Sequence, residues 1–445
     1  MGRLSEMKKI LEFRMVNPKR IGYELKKDLT GKTGKQTFTL YFSQIIGLFL
    51  GLFIGIINTR VLGPEGYGIL AFFLAITSFT VLFFRFGFFS AGGLLIAEAK
   101  DERKEKELAG ASIVIGFFIG MLYSFFILFL SFFVDGVFHT NVGWILRYIS
   151  VLLIALPYSM LIPQIGRGMN KIKEMSLFNV IPKIVYLLGA LMLLKIIQIE
   201  PFHFILLNIF SILVGVLIVM YSFQPLFRNV KENLKNIWRK TKEYGFHLYL
   251  GQIADQSTYQ LDKIFITYFV NTTQLGFYSL AMAITAPMVG LSTALSMSLF
   301  KGFVDMERIP KKVIYYNFLW LAFCVAGLVI FGEFIVVLLF TDKFLPTVPL
   351  ILPLALAAFF QGMYQPYNMF FGAKGKGKWM RNISLTQAIF NLFGNFIFIY
   401  YMGAIGAAIA SAIAAFIAYL GHKCYYQRLF SIKNFEKPTE IPEKH

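Results

Sequence analysis

Apolar residues in this chain run in continuous blocks of about twenty, longer than the period-2 or period-3.6 stripes of half-buried soluble elements. Twelve blocks can be drawn, over 37–60, 69–97, 109–134, 144–163, 176–197, 203–225, 245–270, 274–300, 313–340, 347–372, 382–402 and 404–424. A helix of about twenty residues crosses the roughly 30 Å hydrocarbon core of a bilayer. Each block must be helical, because lipid offers no partner to an unpaired backbone amide or carbonyl. No polar stretch is long enough to fold as a separate soluble domain.

Lys and Arg orient the spans. The segment before the first span holds ten of them, and the even-numbered connections hold Arg103, Lys104 and Lys106; Arg167, Lys171 and Lys173; Arg228, Lys231, Arg239, Lys240 and Lys242; Arg308, Lys311 and Lys312; and Lys374, Lys376, Lys378 and Arg381. The opposite loops offer only Arg60, Lys195 and Lys343. This asymmetry predicts a multi-pass protein of the cell membrane with both termini in the cytoplasm. It divides the chain into a basic cytoplasmic or interfacial segment (1–35), a six-helix bundle (36–225), a cytoplasmic linker (226–244), a second six-helix bundle (245–425) and a cytoplasmic tail (426–445). No cleavable signal peptide is expected. Met7–Leu25 interleaves Ile10, Leu11, Phe13, Val16, Ile21 and Leu25 with cations. It reads equally as an amphipathic segment on an anionic leaflet or as a leader that only enforces topology.

Composition agrees with this reading: 57% of residues are hydrophobic, 15% are charged, and 50 are Phe. A net charge of +19 would indicate nucleic acid in a soluble protein. Here the cations fall in short loops, so topology accounts for them and no nucleic-acid partner is expected. Cys324 and Cys424 have no metal or disulfide spacing and read as core or lipid-facing residues. Gly372–Lys378 imitates a phosphate-binding loop, but Trp379 stands where that loop needs Ser or Thr. Asn271-Thr272-Thr273 is a formal sequon in a very short loop. No nucleophile–base pair is evident, and neither a cofactor nor a metal is expected. Asp135 and His139 are the only acid–base cluster in an outer loop, which counts against a membrane-embedded glycosyltransferase or polymerase.

Two places suggest an internal repeat. Gly66-Tyr67-Gly68-Ile69-Leu70-Ala71 can be laid on Gly276-Phe277-Tyr278-Ser279-Leu280-Ala281, an offset of 210, and Gly168-Met169-Asn170-Lys171 on Gly372-Ala373-Lys374-Gly375, an offset of 204. Six spans per copy give a parallel repeat, the arrangement of transporters whose halves rock about a midplane site.

Several motifs carry a family resemblance. Arg60-Val61-Leu62-Gly63-Pro64-Glu65-Gly66-Tyr67-Gly68 resembles the first-loop signature of polysaccharide-lipid flippases, the Wzx-like branch of the multidrug/oligosaccharidyl-lipid/polysaccharide exporter superfamily. Leu261-Asp262-Lys263-Ile264-Phe265-Ile266 before Gly276-Phe277-Tyr278-Ser279-Leu280-Ala281 resembles its seventh-span pattern. Asn391-Leu392-Phe393-Gly394-Asn395-Phe396 before Gly403-Ala404-Ile405-Gly406-Ala407-Ala408 resembles its penultimate hairpin, and Gly372-Ala373-Lys374-Gly375-Lys376 the basic loop ahead of it. Leu94 departs from the pattern, since many relatives carry Arg there; Arg85 is the nearest cation. The resemblance implies an all-α V-shaped alternating-access transporter of about twelve helices with a central cavity. Its cargo would be a lipid-linked (polyprenyl-diphosphate) oligosaccharide carried to the outer leaflet, with membrane lipid and a polymerase and glycosyltransferases of the same pathway as partners. A multidrug or cation antiporter of the same superfamily is the runner-up, and a scaffold that has lost transport the third class.

Charges inside the spans mark candidate chemistry, since each costs roughly 2.5–3.5 kcal/mol at a helix centre. Arg85, Arg147, Lys183 and Lys263 would offset desolvation of a diphosphate in a wet lumen. Gln252, Asp255, Tyr259 and Asp262 share one helical face, flanked by Gln256, and this face should line a cavity between the halves. An Asp255–Arg85 or Asp262–Lys263 ion pair is the structural alternative. Gln252, Gln256, Asn391 and Asn395, with Gln44 and Asn58, would hydrogen-bond sugar hydroxyls, and Tyr259 would stack on a sugar ring. Asp255 or Asp262 would bind H⁺ or Na⁺ as the coupling ion. Gly63, Pro64, Gly66, Tyr67 and Gly68 would form a compact outer turn.

Overall fold

The computed structural model describes residues 32–195 and 199–435. The side chains of residues 32–38, 41, 247, 248, 250, 251, 254–259, 301, 305 and 430–435 lie outside the description. The expectations for Met7–Leu25, and for Asp255, Gln256 and Tyr259, therefore fall outside the described residues.

Gly63 decides the first turn. The helix α1 (Lys32–Leu82) has 51 residues, about twice the length needed to cross a bilayer. It folds back at Gly63, whose φ of 65° and ψ of −177° suit glycine alone. Pro64 opens the second arm at the first helical position, where its missing N–H costs nothing. Glu65 follows in the positive first turn. The expected turn over 60–68 thus shrinks to one residue, and Gly66, Tyr67 and Gly68 lie inside the helix. The second arm breaks again over 83–87, where Phe86 and Gly87 take φ of 46° and 81°, before α2 (Phe88–Glu98) completes the span.

The first half continues through α3 (Glu102–Leu130), the short α4 (Val134–Phe138), α5 (Gly143–Ile149) running by a 3-10 turn into α6 (Ala155–Gly168), α7 (Ile172–Leu193) and α8 (Pro201–Phe223). The second half contains α10 (Phe246–Phe269), α11 (Thr272–Ser298), the short α12 (Phe300–Asp305), α13 (Lys311–Ile335), α14 (Val348–Ala373), α15 (Gly377–Met402) and α16 (Ala404–Phe435). Among the described residues, ten helical stretches are long and apolar enough to cross a membrane. The two arms of α1 count once among them, and α10, with Asp262 and Lys263 in its 24 residues, supplies the twelfth crossing.

Between the halves lies α9 (Val230–Lys240), an amphipathic linker helix. It is strapped to the first half. The fully buried Asn233 accepts a 2.9 Å bond from Lys104 Nζ, Asn229 donates to Glu107 at 3.3 Å, and Trp238 stacks on Phe88 at 5.6 Å. At the far end of the chain, α16 runs past the expected boundary at 425. Tyr425 stacks on Trp379, and Tyr426 Oη accepts the Ile309 amide at 2.9 Å, so the expected tail begins as helix.

The repeat is real, in a slightly different register from the one expected. A Cβ at Gly68 would collide with the Thr272 carbonyl oxygen, and one at Gly276 with that of Pro64. The two contacts exchange under an offset of 208, with Gly68 matching Gly276 and Pro64 matching Thr272. At the opposite end, Lys171 N bonds Gly166 O at 2.8 Å and Asn170 N bonds Arg167 O at 3.2 Å. Lys376 N to Phe371 O at 2.9 Å and Gly375 N to Gly372 O at 3.1 Å repeat this cap at an offset of 205. Identical letters alone put each register off by a residue or two.

Packing gives the molecule its V shape. One buried cluster joins both halves, bringing Leu70, Phe73 and Ile76 together with Leu275, Tyr278 and Phe344. Most of its members lie toward the Gly63 end of their helices. Toward the end with the basic connections, clusters belong to one half: Phe89, Leu161 and Phe223 in the first, Phe303, Tyr367 and Phe371 in the second. The Gly63 end is sealed, while the basic end is bridged by α10, whose leading Gly245 lies against Gly87.

A buried carboxylate cage and the broken second span

Asp262 sits on α10 with 4% of its surface exposed. A carboxylate so buried needs its oxygens satisfied, and three helices supply donors. Tyr278 of α11 donates its hydroxyl to Oδ2 at 2.8 Å. Ser411 of α16 donates to the same oxygen at 2.7 Å. Asn395 of α15 donates Nδ2 to Oδ1, and also to Asn391 Oδ1 at 3.0 Å. Asn391 and Asn395, four residues apart, share a face of α15. Asn395 is fully buried, and its own Oδ1 has no partner among the described residues. These donors are all neutral. Lys263, the next residue, points about 100° around the helix, so the Asp262–Lys263 ion pair is not formed.

A cavity of about 310 Å³ opens beside this cage. Asp262, Thr285, Gln361, Gln387, Asn391 and Ser411 contribute its polar lining, and every lining residue comes from the second half. For Asp262 the expectation of a space between the halves is corrected: it turns into its own bundle, because its donors stand on α11, α15 and α16. Asn391 and Asn395 likewise belong to the carboxylate cage.

The cations separate. Arg85 is 7% exposed at the break in the second span, within electrostatic range of Tyr249 and Arg167. Tyr249 in turn donates to the Phe83 carbonyl at 2.9 Å, tying α10 to that break. Lys183 is half-buried and donates to the Gly47 carbonyl at 2.7 Å, joining α7 to the first arm of α1. Arg147 is exposed, its guanidinium 4.2 Å from the Phe132 ring. It sits among the exposed Phe133, Trp144, Tyr148 and Val151, away from the other cations, because that face of α5 is the unburied one. Gln44, Gln252 and Lys263 are half-buried, and Asn58 accepts from Tyr186 at 2.9 Å. Asp135 Oδ1 accepts the Val142 and Gly143 amides, each at 2.8 Å, so it caps α5.

At the sealed end, Tyr67 meets the Phe344 ring at 6.2 Å and Phe277 meets it at 6.1 Å. Arg60 reaches across to the Leu338 and Leu339 carbonyls. Sequence reasoning did not pick out Tyr278 or Ser411 as site residues. A signal existed for Ser411, the one hydroxyl in the apolar run 404–418.

Comparison with known proteins places this geometry. No curated protein sequence matches the chain. Among solved structures, it is similar to an inward-facing multidrug resistance MATE family transporter of the MOP superfamily, with a TM-score of 0.70 at 14% identity over 88% of this chain and 99% of that one. It is similar to the lipid II flippase MurJ in an inward closed conformation, with a TM-score of 0.64 at 18% identity over 89% of this chain and 87% of that one. An outward-facing MATE transporter superposes at 0.60, at 15% identity over 89% and 96%. These likenesses establish the fold, two six-helix bundles arranged as in those transporters. The family model described as polysaccharide biosynthesis protein matches residues 33–307. With residues 33–307 matched, more than half of its length, the chain belongs to the polysaccharide biosynthesis protein family.

Proposed function

We propose that this protein is a flippase that carries a lipid-linked (polyprenyl-diphosphate) oligosaccharide from the cytoplasmic to the outer leaflet of the cell membrane. Pathway glycosyltransferases would supply the cargo and a polymerase would consume it. The observation that carries the reading is the V closed at the Gly63 end, with the buried Arg85 at its basic end. The positive-inside rule makes the basic end cytoplasmic. Arg85, near Arg167, then offers positive charge where a diphosphate enters. An arginine can bind phosphate oxygens bidentately and offset part of their desolvation.

The coupling ion, H⁺ or Na⁺, binds at Asp262 in this proposal. The unpartnered Asn395 Oδ1 supports a cation. Turning that amide over would set an oxygen beside Asp262 Oδ1, as Na⁺ coordination requires. Asp255 remains the second carboxylate to test.

The test is transport by purified protein in liposomes holding a fluorescent polyprenyl-diphosphate oligosaccharide. The wild type should move it to the opposite leaflet, faster with an ion gradient. Arg85→Ala should lose most of that rate, and Asp262→Asn its gradient dependence, with Asp255→Asn as comparison. No movement of this lipid, together with gradient-driven efflux of a soluble cation, would replace the proposal with the antiporter reading.

A further inference from the structure

Three consecutive residues at the start of α11 touch the seal and the carboxylate cage at once. Gly276 makes the backbone contact with Pro64 that closes the Gly63 end. Phe277 makes the edge-on contact with Phe344 that adjoins it. Tyr278, fully buried, donates its hydroxyl to Asp262 Oδ2 at 2.8 Å and lies 3.4 Å from Ser411 Oγ. The geometry points to Tyr278 as the residue through which the charge state of Asp262 is read by the seal. This inference rests on Asp262 being the coupling-ion site.

The physical argument has two steps. A fully buried phenol must keep a hydrogen-bond acceptor, and the acceptor here is Asp262 Oδ2. A cation or proton taken up by Asp262 competes for that oxygen, so Tyr278 must shift or lose its bond. Its ring is fixed to a helix whose first turn is held by the Asn271 side chain, which accepts from the Gln274 amide at 2.8 Å. Any shift therefore moves Gly276 and Phe277. At Gly276 there is no side chain to absorb the movement, because backbone lies on backbone. The ion-free cage thus holds the seal closed, and the loaded cage releases it. The facing groups on α14, α15 and α16 are the neutral Gln361, Asn391, Asn395 and Ser411; the charged neighbour on α10 is Lys263. Tyr278 is a positioning residue for gating, since it need never touch the lipid cargo.

The experiment follows the seal directly. Spin labels on Glu65→Cys and Gln274→Cys, in the full chain carrying Cys324→Ser and Cys424→Ser, report the width of the Gly63 end in liposomes. A Na⁺ titration at fixed pH and a pH titration without Na⁺ are each run, with ion binding measured in parallel. In the chain with Tyr278 intact, the effective ion should shift the closed-to-open ratio by about tenfold, the scale of an ordinary coupling free energy. Tyr278→Phe keeps the ring and should still bind the ion, but lose most of that shift. Ser411→Ala removes the other Oδ2 donor and its 3.4 Å contact with Tyr278, but leaves the Tyr278–Asp262 bond in place. It should change the ion concentration needed and keep the size of the shift. A full shift in Tyr278→Phe overturns the inference and leaves the ion site standing. Absence of any ion binding or shift with Tyr278 intact, matched by Asp262→Asn, removes both.

Discussion

At the residue scale, glycines and one carboxylate carry the argument. Gly63 holds a backbone conformation that a Cβ strains, so Gly63→Ala should cost about 1–3 kcal/mol, seen as a lower unfolding midpoint in detergent. Gly68→Ala attacks the seal instead. Its Cβ has no room beside Thr272, so the Gly63 end should be propped apart, and a cysteine placed at Phe344 should react faster with an impermeant thiol reagent. An unchanged rate would mean that the helices slide to accommodate the methyl. Asp262 was visible in the sequence because a charge within an apolar span needs a reason. Its partners were not, because Asn395 and Ser411 stand 133 and 149 residues away, and no local spacing encodes which faces of distant helices meet.

At the element scale, the linker helix α9 shows what a charged stretch can hide. The segment 226–244 read as a cytoplasmic connection because its cations dominate it. Yet Val230, Leu234, Ile237 and Trp238 follow helical spacing, and Ile237 is fully buried against the first half. Asn233 is the polar centre of that attachment. Asn233→Leu should remove the bonds to Lys104 Nζ and the Arg228 carbonyl, at roughly 1–3 kcal/mol. Trypsin should then cut faster around Arg239, Lys240 and Lys242 in the otherwise folded protein. The broken second span was also hidden in the sequence. Phe83, Phe84 and Phe86 carry the apolar run past Arg85, and the left-handed φ of Gly87 with its contact to Gly245 shows why that residue must be glycine.

At the scale of the whole molecule, two bundles meet along one sealed end, and transport requires that seal to open. A disulfide between Tyr67→Cys and Phe344→Cys, in a chain lacking Cys324 and Cys424, should stop lipid movement, and a reductant should restore it. Unimpeded movement in the oxidised protein would place the exit path elsewhere. The span count and two-half plan were legible from blocks of apolar residues and the distribution of Lys and Arg, because the bilayer imposes both. The register of the repeat was not, because helix caps and backbone contacts outlast side-chain identity. That register has a historical consequence. A contact that maps onto itself when the halves are exchanged is what two copies of one ancestral six-helix protein make about a shared axis. Duplication of one six-helix ancestor would place Gly68 and Gly276 at the same position of each copy. At the same offset Asp262 falls on Ile54, so the halves differ in chemistry where they agree in backbone.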